Sequence, residues 1–89
     1  MSELAEIRLK RLSMRSHRRG IKEMDIILGH FADGVLHALS GEELDRYEAL
    51  LEENDHDLYQ WVSGQRPPPE AFAALIAKIA AHAPSATKP

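Results

Sequence analysis

Cysteine is absent from the 89 residues, which excludes disulfides and thiolate metal sites and fits a reducing compartment. No apolar run approaches the ~20 residues that a membrane-spanning helix needs, so no membrane insertion is expected. No apolar core ahead of a small-residue cleavage site marks a secretory leader. Arg8, Lys10, Arg11 and Arg15 invite comparison with a mitochondrial presequence. Glu3 and Glu6 interrupt that pattern, and the simpler expectation is a bacterial cytoplasmic protein. No segment alternates apolar and polar residues for long enough to make a strand, and there is no repeat. A catalytic constellation is also missing. Ser13, Ser16, Ser40 and Ser63 each have a local capping or surface explanation, none stands in a nucleophile elbow, and no Gly-rich loop joins a strand to a helix. A non-enzyme is expected.

What is present is charge, unevenly placed. Residues 1–22 hold seven Lys/Arg and two acids, and residues 23–89 hold four Lys/Arg and twelve acids. Either the basic end meets an acidic partner or each helix solvates its outer face. The periodicity predicts an all-α bundle of about five short helices, one domain over 1–82, with a flexible tail over 83–89. The first helix is expected from Glu3 to Arg15, capped by Ser2, with Leu4, Ile7, Leu12 and Met14 inward and Arg8, Arg11 and Arg15 opposite. Gly20 is expected to end it in the left-handed conformation. The second helix is expected from Lys22 to Ala38, with Gly29 and Gly34 marking a kink or a close helix contact. Ser40 and Glu43 form a capping box for a third helix ending near Asn54, and Asp55 or Asp57 caps a fourth that Gly64 closes. Pro67, Pro68 and Pro69 are an extended spacer before a fifth helix striped by Phe72, Leu75, Ile76 and Ile79. Trp61 and Phe72 are the bulkiest expected core residues.

The densest chemistry lies in Arg18-Arg19-Gly20-Ile21-Lys22-Glu23-Met24-Asp25. Arg19 and Glu23 stand four apart, the spacing of an exposed intrahelical pair. The cation precedes the acid, the poorer orientation, and a glycine lies between them. The alternative is a recognition patch, where Gly20 lets a partner's backbone approach and Arg19 and Glu23 offer a donor fork and an acceptor. His30, Asp33 and His37 share a helix face, but no fourth ligand is evident, so no metal is expected. Nucleic acid is not an expected partner. The rest of the chain is acidic, and the basic stretch has no aromatic residue for base stacking.

The same eight residues are similar to the R-R-G-x-x-E-L-D signature of the SdhE family, small flavinylation (FAD assembly) factors of succinate dehydrogenase, with Met24 in place of leucine. A second block, residues 50–62, resembles the family's L-L-E-x-x-D-x-D-L-x-x-W-L, with Val62 in place of the last leucine. The resemblance spans about residues 4–80 and implies a five-helix bundle. It also implies an assembly factor that binds the flavoprotein subunit of succinate dehydrogenase, and in some bacteria that of fumarate reductase, and promotes covalent attachment of FAD to a client histidine. FAD would be attached on the client, with none bound stably here and no cofactor-binding residue assignable. Arg19, Gly20 and Glu23 are the implied partner contact, adjoined by Arg18, Met24 and Asp25. Leu50, Leu51, Leu58 and Trp61 are implied core, and Asp55 and Asp57 capping. An alternative from the same resemblance is the antitoxin of a pair with a small membrane toxin.

Overall fold

Residues 4–84 are described by a computed structural model. They form α1 (Ala5–Ser16), α2 (Lys22–Val35), a 3-10 turn (Leu36–Ala38), α3 (Gly41–Leu50), α4 (Asp55–Val62) and α5 (Glu70–His82), with no strand among them. The all-α reading with five helices therefore holds. The proposed Ser2 cap, the helix start at Glu3 and the tail from residue 85 lie outside the described residues.

α2 is the central element, touching α1, α4 and α5, while α5 also packs on α3 and α4. Its Met24, Ile27, Leu28 and Phe31 recur at helical spacing and are fully or almost fully buried. Each such side chain contributes about 1.5–3 kcal/mol on leaving water. The largest fully buried side chains are Tyr47 and Phe31, whose rings meet at 5.6 Å. Trp61 is buried as expected, and Phe72 beside it is partly buried and packs against the core.

Several boundaries differ from expectation for local reasons. α2 stops at Val35, where φ swings to -128°, and the chain tightens into the 3-10 turn before Ala38. Gly29 marks a close contact: a Cβ there would stand 2.7 Å from the His17 Nδ1. Gly34 has nothing within 4 Å of that position. α3 ends at Leu50, because Asn54 is needed as the extended cap of α4; its side chain accepts from the His56 N–H at 2.8 Å. Neither Asp55 nor Asp57 is that cap. The Ser40–Glu43 capping box is formed, and Lys78 of α5 joins Glu43. Lys78, followed by the Ser40 backbone N–H, holds the Glu43 carboxyl down to about 2.

The first helix is turned differently from the periodicity reading. Leu12 and Ser16 are its buried residues, with Leu9 partly buried, whereas Leu4, Ile7 and Met14 face outward. Arg8, Arg11 and Arg15 lie against the acidic residues of α3 and its end. Arg8 reaches Asp45 at 2.7 Å and Glu48 at 3.0 Å, Arg11 reaches Glu48 at 2.8 Å, and Arg15 pairs with Glu52. Much of the uneven charge is thus met inside the chain, and Arg11, ahead of Arg8, holds the Glu48 carboxyl below its ordinary range.

Candidate partner-docking site

α1 ends on a buried polar contact. The Ser16 hydroxyl donates to the Leu12 carbonyl at 2.7 Å and lies 2.6 Å from the Tyr47 hydroxyl. Ser16 is fully buried, so it belongs to the core, contrary to the surface role read from sequence. Burial pushes the Tyr47 phenol up to about 12. A serine bonding back to the carbonyl four residues earlier offers the backbone an alternative to continued helix. His17 closes the turn and reaches Asp33 at 2.9 Å.

The loop that follows is fixed by two carboxylates. Asp25, in the first turn of α2, accepts from the Arg19 backbone N–H. Asp55, at the start of α4, accepts from the Gly20 N–H through Oδ2 and from the Arg19 Nε at 2.8 Å through Oδ1. The Arg19 Nη1 and Nη2 then donate to the Leu51 carbonyl at 3.0 Å and the Glu53 carbonyl at 3.3 Å. These carbonyls follow the last turn of α3, where helix geometry leaves acceptors without partners and favours a cation. The Arg19 and Asp55 side chains are only 9 % and 11 % exposed. Arg19 is therefore a structural clamp between the α1–α2 and α3–α4 junctions, and its fork is engaged within the chain. It forms neither the intrahelical pair with Glu23 nor a free donor fork.

Gly20 also differs from the helix-stop expectation. Gly64, at φ 84°, is the described glycine with a left-handed φ; Gly20 has none. Its constraint is space, because a Cβ would stand 2.8 Å from the Asp55 Oδ2. Gly20 itself is exposed. Around it, Arg18, Lys22 and Glu23 are exposed and have no side-chain partner among the described residues. Asp25 is half-buried, and Met24 is fully buried in the core. Met24 therefore cannot touch a partner as the sequence reading had it; it supports the patch from beneath. No signal local to the first motif pointed to Asp55, although both sequence blocks contain one end of its contact.

No helix among the described residues is long and apolar enough to cross a membrane, and none of their His, Asp and Glu side chains cluster in threes for a metal ion.

The family described as the flavinator of succinate dehydrogenase matches residues 10–83. The mitochondrial succinate dehydrogenase assembly factor 2 of Dictyostelium discoideum is 34% identical over 82 residues, covering 92% of this chain and 57% of that protein. The proteins of the same name from Debaryomyces hansenii and Candida glabrata are each 43% identical, over 61 residues (68% of this chain, 43% of theirs) and 63 residues (71% and 41%). The chain thus spans about half the length of the curated relatives it matches, and these relatives are mitochondrial, which leaves the bacterial cytoplasmic expectation without support. The match across both motif blocks, which meet in space at Arg19, Gly20 and Asp55, places the chain in the family of succinate dehydrogenase flavinators, the SdhE-type assembly factors.

Proposed function

We propose that this chain binds the flavoprotein subunit of succinate dehydrogenase and promotes covalent attachment of FAD to it, without itself being an enzyme. The observation that carries the reading is an exposed glycine in a loop immobilised from beneath and ringed by Arg18, Lys22 and Glu23, which have no side-chain partner among the described residues. A rigid loop loses little entropy on docking, and a residue without a side chain admits a client backbone. Glu23 accepts from a client donor, Arg18 and Lys22 meet client acids, and Arg19, Asp25 and Asp55 hold the geometry. FAD is the client's cargo: bound there, it supplies the electrophilic flavin carbon for a client histidine. The factor therefore needs only to hold the client's mobile parts in a reactive arrangement, and such positioning can supply several kcal/mol. The fumarate reductase flavoprotein is a client of the same chemistry. The cytoplasm remains the proposed place of action, with the mitochondrion of the relatives as the alternative. No observation favours the antitoxin reading.

The test is co-purification with the flavoprotein subunit, then denaturing electrophoresis under ultraviolet light. Glu23→Ala is the informative variant, since Glu23 is exposed and its loss from the first turn of α2 should lower the melting temperature by only a few degrees. Client fluorescence that rises with the wild-type chain and falls with Glu23→Ala supports the proposal. Equal fluorescence with and without the chain refutes it.

A further inference from the structure

α1 presents an uncovered apolar strip. Leu4, just before the helix, and Ile7 and Met14 within it are 68%, 53% and 54% exposed. Ile7 and Met14 are seven residues apart, so they lie on one side, about 10 Å apart along the axis. They line an open groove of about 460 Å³ together with Lys10, Arg11, Arg15, Arg18 and Arg19. Arg11 and Arg15 pair with Glu48 and Glu52 of the α3 side, whereas Lys10 and Arg18 have no acidic partner among the described residues. Apolar side chains beside the cations Lys10 and Arg18 are complementary to an acidic surface with apolar side chains. A lipid surface fits less well. The apolar strip is short, two turns of one 12-residue helix, whereas an interfacial helix buries a continuous apolar face along its length.

We propose that the outward face of α1 is a second docking surface, continuous with the Gly20 patch through Arg18. It takes an acidic segment of the client flavoprotein that carries apolar residues about two helical turns apart. The proposal rests on the reading that a flavoprotein is the client. The client's apolar side chains seat against Ile7 and Met14, and its carboxylates meet Lys10 and Arg18. The two surfaces would set the factor's orientation on the client, which one glycine patch alone leaves free to rotate.

The experiment measures binding of the full chain to the purified flavoprotein subunit by calorimetry, for the wild type, Ile7→Ser/Met14→Ser, Lys10→Glu and Glu23→Ala. The Ile7→Ser/Met14→Ser chain should melt within several degrees of the wild type, because both side chains are already more than half exposed. Its affinity should fall by about 10-fold to 100-fold, as for apolar anchors at an interface. Lys10→Glu should weaken binding most at low salt and flatten its salt dependence. A photo-crosslinking residue at position 14 should join to an acidic client peptide. Unchanged affinity in Ile7→Ser/Met14→Ser, with binding lost in Glu23→Ala, overturns this inference and leaves the proposed function standing. No binding by the wild-type chain overturns both. Two further arms identify a different occupant and also overturn it. One is wild-type sedimentation with phosphatidylglycerol vesicles that the double variant abolishes; the other is self-association that it abolishes, each with client binding unchanged.

Discussion

Truncating Asp55 to alanine should destabilise the protein well beyond the loss of an exposed ion pair. The carboxylate holds the Arg19 Nε at 2.8 Å and the Gly20 N–H. Its loss leaves a guanidinium that is 9 % exposed with two carbonyl partners and no counter-charge. Breaking a fully buried pair from one side costs about 3–5 kcal/mol. Here the Leu51 and Glu53 carbonyls remain, and the Gly20 N–H is exposed enough to bond water, so about 2–3 kcal/mol is expected. For a domain of this size that is a fall of about 10–20 °C in melting temperature. Urea unfolding followed by circular dichroism gives the free energy, and an unchanged m-value assures that the unfolded state is the same. Arg19→Met with Asp55→Leu should lose less than the two single losses added, with about 1–3 kcal/mol of coupling. A loss below about 0.5 kcal/mol for Asp55→Ala, the size of an exposed pair, would refute the clamp.

Gly20→Ala places a Cβ 2.8 Å from the Asp55 Oδ2, so it should cost about 1–2 kcal/mol in the wild type and nearly nothing in an Asp55→Ala background; a cost that persists there would assign it to another cause. Because Gly20 has no left-handed φ, alanine adds no backbone strain of its own. Tyr47→Phe removes the 2.6 Å contact with Ser16, which keeps its bond to Leu12, so urea unfolding should show a loss of about 0.5–1.5 kcal/mol. Glu43, bonded to Lys78 and to the Ser40 N–H, is held down to about 2 in the fold against 4.5 ordinarily. Its contribution is therefore complete above pH 4.5 and fades as the pH falls through about 2, so the gap in melting temperature between wild type and Glu43→Gln should close across that window. A gap that stays constant with pH would exclude it.

The last three helices were legible because each has a local stop or a local cap, and the first two by their apolar periodicity. The Ser40–Glu43 box, the Gly64 turn and the three prolines all act within a few residues of themselves. Which way α1 faces was not legible. Leu4, Ile7 and Met14 form as good a stripe as Leu9, Leu12 and Ser16, and the choice is made by α3. Asp45, Glu48 and Glu52 draw Arg8, Arg11 and Arg15 to one side, and Tyr47 supplies a hydroxyl that lets Ser16 be buried. Neither effect is visible from α1 alone. The site was half legible for the same reason. Arg19, Gly20 and Glu23 stood out by residue type, but the partner of Arg19 lies 36 residues away. An arginine with a free fork and one with its fork engaged have the same sequence.

That distinction bears on how the motif should be dissected. Arg19 and Asp55 form one contact, and Gly20 is shaped by it, so substitutions at all three act first on stability. A loss of flavinylation at Arg19 or Gly20 would then report a loosened loop as readily as a lost contact. Glu23 is different. Its side chain has no partner among the described residues and no neighbour depends on it. The same holds for Arg18 and Lys22. These residues can change binding without changing folding, whereas Arg19 and Asp55 can change binding only through folding or through the shape of the loop. If Glu23→Ala left client binding and flavin attachment intact while Asp55→Ala abolished both, the recurrence of the motif would be a requirement of the fold. The docking surface would then have to be sought on α1.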